Sequence, residues 1–159
     1  MNSDALRAIQ APLKERCRAA PEAALVTFRA SGALDSAAIV CKVETGPATG
    51  GSGAELCSGD MLLEALVACA GVTLKAVATA LEIDLRSGRL FAGGDLDFGG
   101  TLGVAREATV GFTDIRLRFE LDTDAPQGRL DTLLKLTERY CVVLRTLKRP
   151  PSIAATLAR

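Results

Sequence analysis

The chain has 159 residues, 48% of them apolar and 24% charged, with Lys plus Arg and Asp plus Glu balanced at 19 each. That length suits one compact domain whose core needs no disulfide staples, and balanced charge without like-charge runs gives no field to recruit nucleic acid or an anionic membrane. The complete lack of His removes the commonest zinc ligand and every imidazole base, so neither a metal site nor a Cys-His or Ser-His pair is expected; no cofactor is called for, and a nucleophile would have to be a cysteine.

Five cysteines, an odd number without C-x-x-C pairs, argue against a disulfide framework. The opening MNSDALRAIQAPLKERCRAAPEAA has no uninterrupted apolar run of the kind a secretory signal needs, so a cytoplasmic protein is expected. Leu6, Ile9 and Leu13 recur at helical spacing there and Pro12 interrupts, so residues 1–23 are taken as an N-terminal arm before a single domain over 24–159. Residues 24–30 (ALVTFRA) and 37–44 (AAIVCKVE) carry β-branched residues on either side of a turn, SGALDS, which predicts a hairpin with Cys41 as a packing residue. Residues 46–53, GPATGGSG, form a loop that leads to Cys57 and the next helix.

Residues 58–82, SGDMLLEALVACAGVTLKAVATALE, are apolar on nearly every face. A helix of that composition belongs inside something. Its length permits a membrane span, but Glu64 and Lys75 sit within it and no basic cluster marks a cytoplasmic flank, so it is expected as the buried central helix of a soluble fold. Ser58 suits the N-cap and Asp60 sets a negative charge in the first turn. Cys69, near the middle, taken by itself reads as a small buried hydrophobe rather than a nucleophile.

After this helix, the glycine-rich GRLFAGGDLDFGGTLG predicts a strand near residues 89–97 with bulges or a bend at its glycines. Residues 112–122, FTDIRLRFELD, alternate cleanly, Ile115, Leu117, Phe119 and Leu121 facing a core and Arg116, Arg118, Glu120 and Asp122 facing water. A second helix over 129–147 carries a stripe of Leu130, Leu133, Leu134, Thr137, Cys141 and Leu144. Pro150 and Pro151 end it, and residues 152–157 are read as a last edge strand. The order is β-β-α-β-β-α-β, an α+β plan with an antiparallel sheet. The all-apolar helix needs more cover than one sheet and one amphipathic helix provide, so a homodimer is expected.

SGDMLLEALVACAG followed some seventy residues later by LTERYCVVLRTL resembles the OsmC/Ohr family, the osmotically induced and organic hydroperoxide resistance proteins, and the resemblance extends over about residues 26–157. In that family each of two helices carries a cysteine, and Cys69 and Cys141 occupy those positions. The resemblance implies an intertwined homodimer and a thiol peroxidase: the first cysteine attacks an organic hydroperoxide, the sulfenic acid condenses with the second, and a dithiol reductant restores both. Family peroxidases also set a hairpin Arg and a Glu from the start of the first helix around the reactive sulfur. Arg29 is the nearest hairpin arginine here, the Glu position reads Gly59 or Asp60, and Val142 replaces the proline that usually follows the second cysteine. The catalytic candidates are therefore Cys69, Cys141, Arg29 and Asp60. The alternative reading is a binding or structural protein of the same fold that has lost peroxidase activity.

Overall fold

The computed structural model describes residues 3–44 and 58–158 of the chain. Helix α1 spans Ser3–Ala19 and a single 3-10 turn Pro21–Ala24 follows; β1 is Leu25–Leu34, β2 Cys41–Glu44, α2 Ser58–Ala80, β3 Ser87–Asp97, α3 Phe98–Thr101, β4 Phe112–Asp122, α4 Gln127–Tyr140 and α5 Val142–Lys148. The strands form one four-stranded antiparallel sheet in the order β2-β1-β3-β4, and the protein is α+β as expected. The expected loop over 46–53 and Cys57 lie outside the described residues.

The hairpin exists, but β1 runs four residues past the strand read from the sequence. Ser31, Gly32, Ala33 and Leu34 look like turn residues by composition, yet each pairs with a residue of β2, from Ser31 opposite Glu44 to Leu34 opposite Cys41. Ladder pairing overrides weak local preference. The turn is displaced to residues 35–40, where Asp35 Oδ1 accepts the amides of Ala37 at 2.9 Å and Ala38 at 3.0 Å. The Lys42 ammonium, 2.9 Å from Asp35, and those amides hold the Asp35 carboxyl down at about 2.

Contacts divide the chain into two compact units. The first comprises Met1–Ala30, Gly46–Leu63 and Ala92–Leu117, and the second Ser31–Thr45, Glu64–Phe91 and Arg118–Arg159. In the first unit Phe28 is buried, edge-on to Phe112 at 5.7 Å between centroids and tilted against Phe98 at 6.3 Å. Helix α1 continues through Pro12, contrary to the expected interruption. Pro12 is exposed, so the carbonyl one turn earlier that loses its amide partner can turn to water. Strand β3 is unbroken where a bulge or bend was expected: a Cβ at Gly94 would come within 2.7 Å of the Phe112 ring, so this glycine serves close packing.

The second unit is built on Leu74, Ala78, Ile83, Leu85 and Leu133, all buried, with Leu34, Val77, Phe119, Leu121 and Leu130 packed around them. Helix α2 stops because Glu82 turns left-handed, φ 53°, and the Ile83 amide reaches back to the Ala78 carbonyl at 2.9 Å. The alternation along β4 is as read, with Phe119 and Leu121 half-buried between exposed Arg118, Glu120 and Asp122.

Two expectations for the end of the chain are corrected. The helix read over 129–147 is two helices, broken at Cys141, whose φ of −68° and ψ of 110° are extended. Residues 149–158 add no strand: the sheet has four members, and Ile153 and Leu157 are 87% and 85% exposed. A strand must pair with a sheet edge as well as carry suitable residues, and this tail pairs with none of the described strands.

Candidate active site

Helix α2 is apolar enough that most of its residues are indifferent to burial, and packing selects the buried side. Leu66, Val67 and Ala70 are fully buried in the second unit, while Ala65 and Val72 are exposed. Cys69 lies at the border between those sides and is partly exposed. Its backbone is doubly anchored, since the Cys69 carbonyl also accepts the Thr73 hydroxyl at 2.8 Å. Over the window Gly59–Ala80 this helix has a mean hydropathy of 1.8, long and apolar enough to cross a membrane. Its buried Leu66, Leu74 and Ala78 identify it instead as the core helix that the charges at Glu64 and Lys75 predict.

Two residues beyond Cys69, Gly71 lets β2 come against the helix. A Cβ at Gly71 would stand 2.5 Å from Cys41 Sγ and 2.6 Å from Cys41 Cβ. Cys41 is therefore the packing residue it was taken to be, and burial pushes its thiol up.

Cys141 is placed by α4. Leu133 and Thr137, one turn apart on that helix, are buried, and the Thr137 hydroxyl bonds back to the Leu133 carbonyl at 2.8 Å. One further turn on, Cys141 closes α4 through its amide to the Thr137 carbonyl at 2.9 Å, and its own carbonyl opens α5 by accepting the Arg145 amide at 2.9 Å. The break falls where the resembled family carries a proline after its cysteine. Val142, which stands there instead, is still the first residue of the new helix.

The outcome is a sulfur pair within the second unit. Cys141, 0% exposed, donates its thiol hydrogen to Cys69 Sγ across 3.5 Å. Burial pushes the Cys141 thiol up to about 11, with bonds from the Leu144 and Val143 amides pulling the other way. At neutral pH Cys141 thus carries a proton beside the sulfur of Cys69. Contraction by about 1.5 Å would bring the pair to the ~2.05 Å of a disulfide.

The other two candidates belong to the first unit. Arg29 is exposed on β1, where its charge helps hold the Asp95 carboxylate; the main partners of Asp95 are Arg116, at 2.6 and 2.9 Å, and the Thr27 hydroxyl at 2.6 Å, which hold its carboxyl down at about 2. Asp60 is only 6% exposed, and its Oδ1 has no hydrogen-bond partner among the described residues. Glu64, named from the sequence only as a charge within the helix and not as a catalytic candidate, has a buried Oε1 that also lacks a partner among the described residues. Their i, i+4 spacing was visible in the sequence, but an amphipathic reading cannot tell a buried carboxylate from a solvated one. Among the described residues no group of three or more His, Cys, Asp or Glu side chains could hold a metal ion.

Comparison with known proteins gives two findings. Residues 51–156 match the family model described as OsmC-like protein. The fold is similar to that of an OsmC-like hydroperoxide resistance protein from Jannaschia sp. CCS1, with a TM-score of 0.63 at 15% identity, over 86% of this chain and 95% of that one. No curated protein matches the sequence.

Proposed function

The chain belongs to the family of OsmC-like proteins, and from that premise we propose that it is a thiol peroxidase for organic hydroperoxides, with Cys69 as the attacking and Cys141 as the resolving cysteine. The observation that carries this is the 3.5 Å approach of the two sulfurs. The similar fold of the Jannaschia OsmC-like hydroperoxide resistance protein supports a hydroperoxide as the substrate.

The chemistry follows from the pair. The Cys69 thiol gives up its proton to become a thiolate and attacks the outer oxygen of ROOH; the O–O bond breaks, the departing alkoxide takes up one proton and leaves as the alcohol, and Cys69 becomes a sulfenic acid. Cys141 then attacks the Cys69 sulfur and expels the hydroxyl, which takes up the Cys141 proton and leaves as water. An external dithiol supplies the two electrons that return both thiols. The apolar residues beside Cys69, Ala65, Ala68 and Val72, suit an organic peroxide better than hydrogen peroxide.

We assign the working form as a homodimer. Two buried carboxylate oxygens on α2, of Asp60 and Glu64, lack partners among the described residues, and such groups are costly unless a donor reaches them. A cation of a second subunit would satisfy them, and a second copy would also cover exposed Met61 and Leu62. Free thiols with a dithiol reductant fit the cytoplasm.

One observation favours the alternative, a binding protein of the same fold without peroxidase activity: the influence of Arg29 is a minor charge contribution at Asp95, not one at Cys69. The two readings separate on the thiols. One equivalent of cumene hydroperoxide should consume two thiols and yield a Cys69–Cys141 disulfide by peptide mapping. Cys69→Ser should bring hydroperoxide consumption to background, and Cys141→Ser should leave about one turnover and a sulfenic acid on Cys69. Unchanged thiol content would leave the binding reading standing, and a Cys69→Ser protein that still consumes peroxide would overturn the assignment of Cys69 as the attacking cysteine.

A further inference from the structure

The return of the disulfide to thiols depends on which of its sulfurs an incoming thiol can strike. Thiol–disulfide exchange is an in-line displacement: the attacker approaches from beyond one sulfur along the S–S axis, and the other sulfur leaves. The two sulfurs here differ in access. Cys141 is 0% exposed, buried by its own chain at the junction of α4 and α5. A partner subunit or a docked reductant adds cover to such a residue and removes none. Cys69 is partly exposed, on a side of α2 where Ala65 and Val72 are also exposed and Ala68 half-buried. A hydroperoxide already has to reach Cys69 for the function proposed above, on which this inference rests.

We propose that the reducing thiol attacks Cys69 Sγ, forming a mixed disulfide on Cys69 and releasing the sulfur of Cys141 into its buried position. The balance is simple. The thiolate RS⁻ bonds to Cys69 sulfur, the Cys69–Cys141 bond breaks, and its electron pair goes to Cys141, which takes up a proton. A second thiol, either the other arm of a dithiol or a second molecule, then attacks the reductant's sulfur in the mixed disulfide, releases the Cys69 thiolate and departs as RSSR. Two electrons pass from the reductant to the protein.

Two features favour this direction. The Leu144 and Val143 amides, at the start of α5, already bond to the Cys141 sulfur, so donors meet the negative charge as it leaves. Burial then favours the protonated form and draws Cys141 back to the neutral thiol seen beside Cys69. Cys141 is thereby a residue that external thiols do not meet at any stage of the cycle.

The test uses the oxidised wild-type chain. Protein treated with one equivalent of cumene hydroperoxide is first mapped to establish the Cys69–Cys141 disulfide, then exposed briefly to 2-mercaptoethanol and quenched with acid and N-ethylmaleimide. Peptide mapping should find mercaptoethanol on Cys69 and maleimide on Cys141, the opposite pattern being at least about tenfold rarer. Mercaptoethanol on Cys141, or equal labelling of the two, overturns the inference and leaves the peroxidase reading intact. Absence of the disulfide at the first mapping overturns both, so the two failures are distinguishable.

Discussion

Cys69 and Cys141 face each other across 3.5 Å, yet the backbone beneath them is built in opposite ways. Cys69 rides an uninterrupted helix of 23 residues, and its access to solvent depends only on which side of that helix packs inward. Cys141 sits where one helix ends and another begins, and it is buried by the chain on both sides of the break. A reactive pair needs one sulfur that substrate can reach and one that is held in wait. Continuous helix supplies the first and a helix break the second, because a break aims amides at a side chain that mid-helix geometry would leave without them.

The contrast can be broken most severely at the support under Cys141. Leu133, 1% exposed, locks α4 into the core formed with Leu74, Ala78, Ile83 and Leu85. Leu133→Ala should cost about 2–5 kcal/mol of stability, measured by urea denaturation. In the fraction that stays folded, sulfenic acid on Cys69 should persist longer before the disulfide forms, since α4 is what carries Cys141. A loss under about 1 kcal/mol would mean that α4 is held by something other than this core.

A smaller effect is expected on the Cys69 side. Gly71→Ala must fit a methyl group where Cys41 Sγ and Cβ stand 2.5 and 2.6 Å away, which should cost about 1–3 kcal/mol. The continuous helix offers no local break to absorb the strain, so either α2 or β2 has to shift. If the variant is as stable as wild type, the helix and strand separate more easily than their packing indicates, and the placement of Cys69 is correspondingly loose.

How much of this was readable beforehand divides along the same line. Regular elements with strong patterns, the apolar run of α2 and the alternation of β4, were legible because pattern and packing agree there. The break at Cys141 was not, because Thr137, Cys141 and Leu144 keep helical spacing straight across it; a periodic stripe does not record one extended residue. The tail over 152–157 reads as a strand, but strand residues do not announce whether a sheet edge is available. The approach of the two sulfurs was permitted by periodicity and carried by resemblance, since contact between α2 and the α4–α5 junction is tertiary. The unpartnered oxygens of Asp60 and Glu64 were hidden for the same reason: burial of a charged side chain is decided by what lies opposite.

The smallest expected effect is a titration that tells the two sulfurs apart without any peroxide. In the folded chain the Cys141 thiol is raised to about 11, burial being the main cause, against roughly 8.5 for an unperturbed cysteine. A raised folded pKa means that the folded state keeps its proton over a range where the unfolded chain has lost it. The stability Cys141 contributes is therefore fully present below about pH 8.5 and is lost as pH rises through 11. Between pH 8 and pH 10 the unfolded chain gives up this proton and the folded chain does not, so reduced wild-type protein should lose about 2 kcal/mol more than Cys141→Ser over that interval. Urea denaturation of the two proteins at both pH values, under reducing conditions, measures it; every other titrating group is common to both and cancels in the difference. If Cys141→Ser loses as much stability as wild type over that interval, the thiol beside Cys69 is not held in its protonated form, and the division of labour between an accessible and a waiting sulfur loses its electrostatic half.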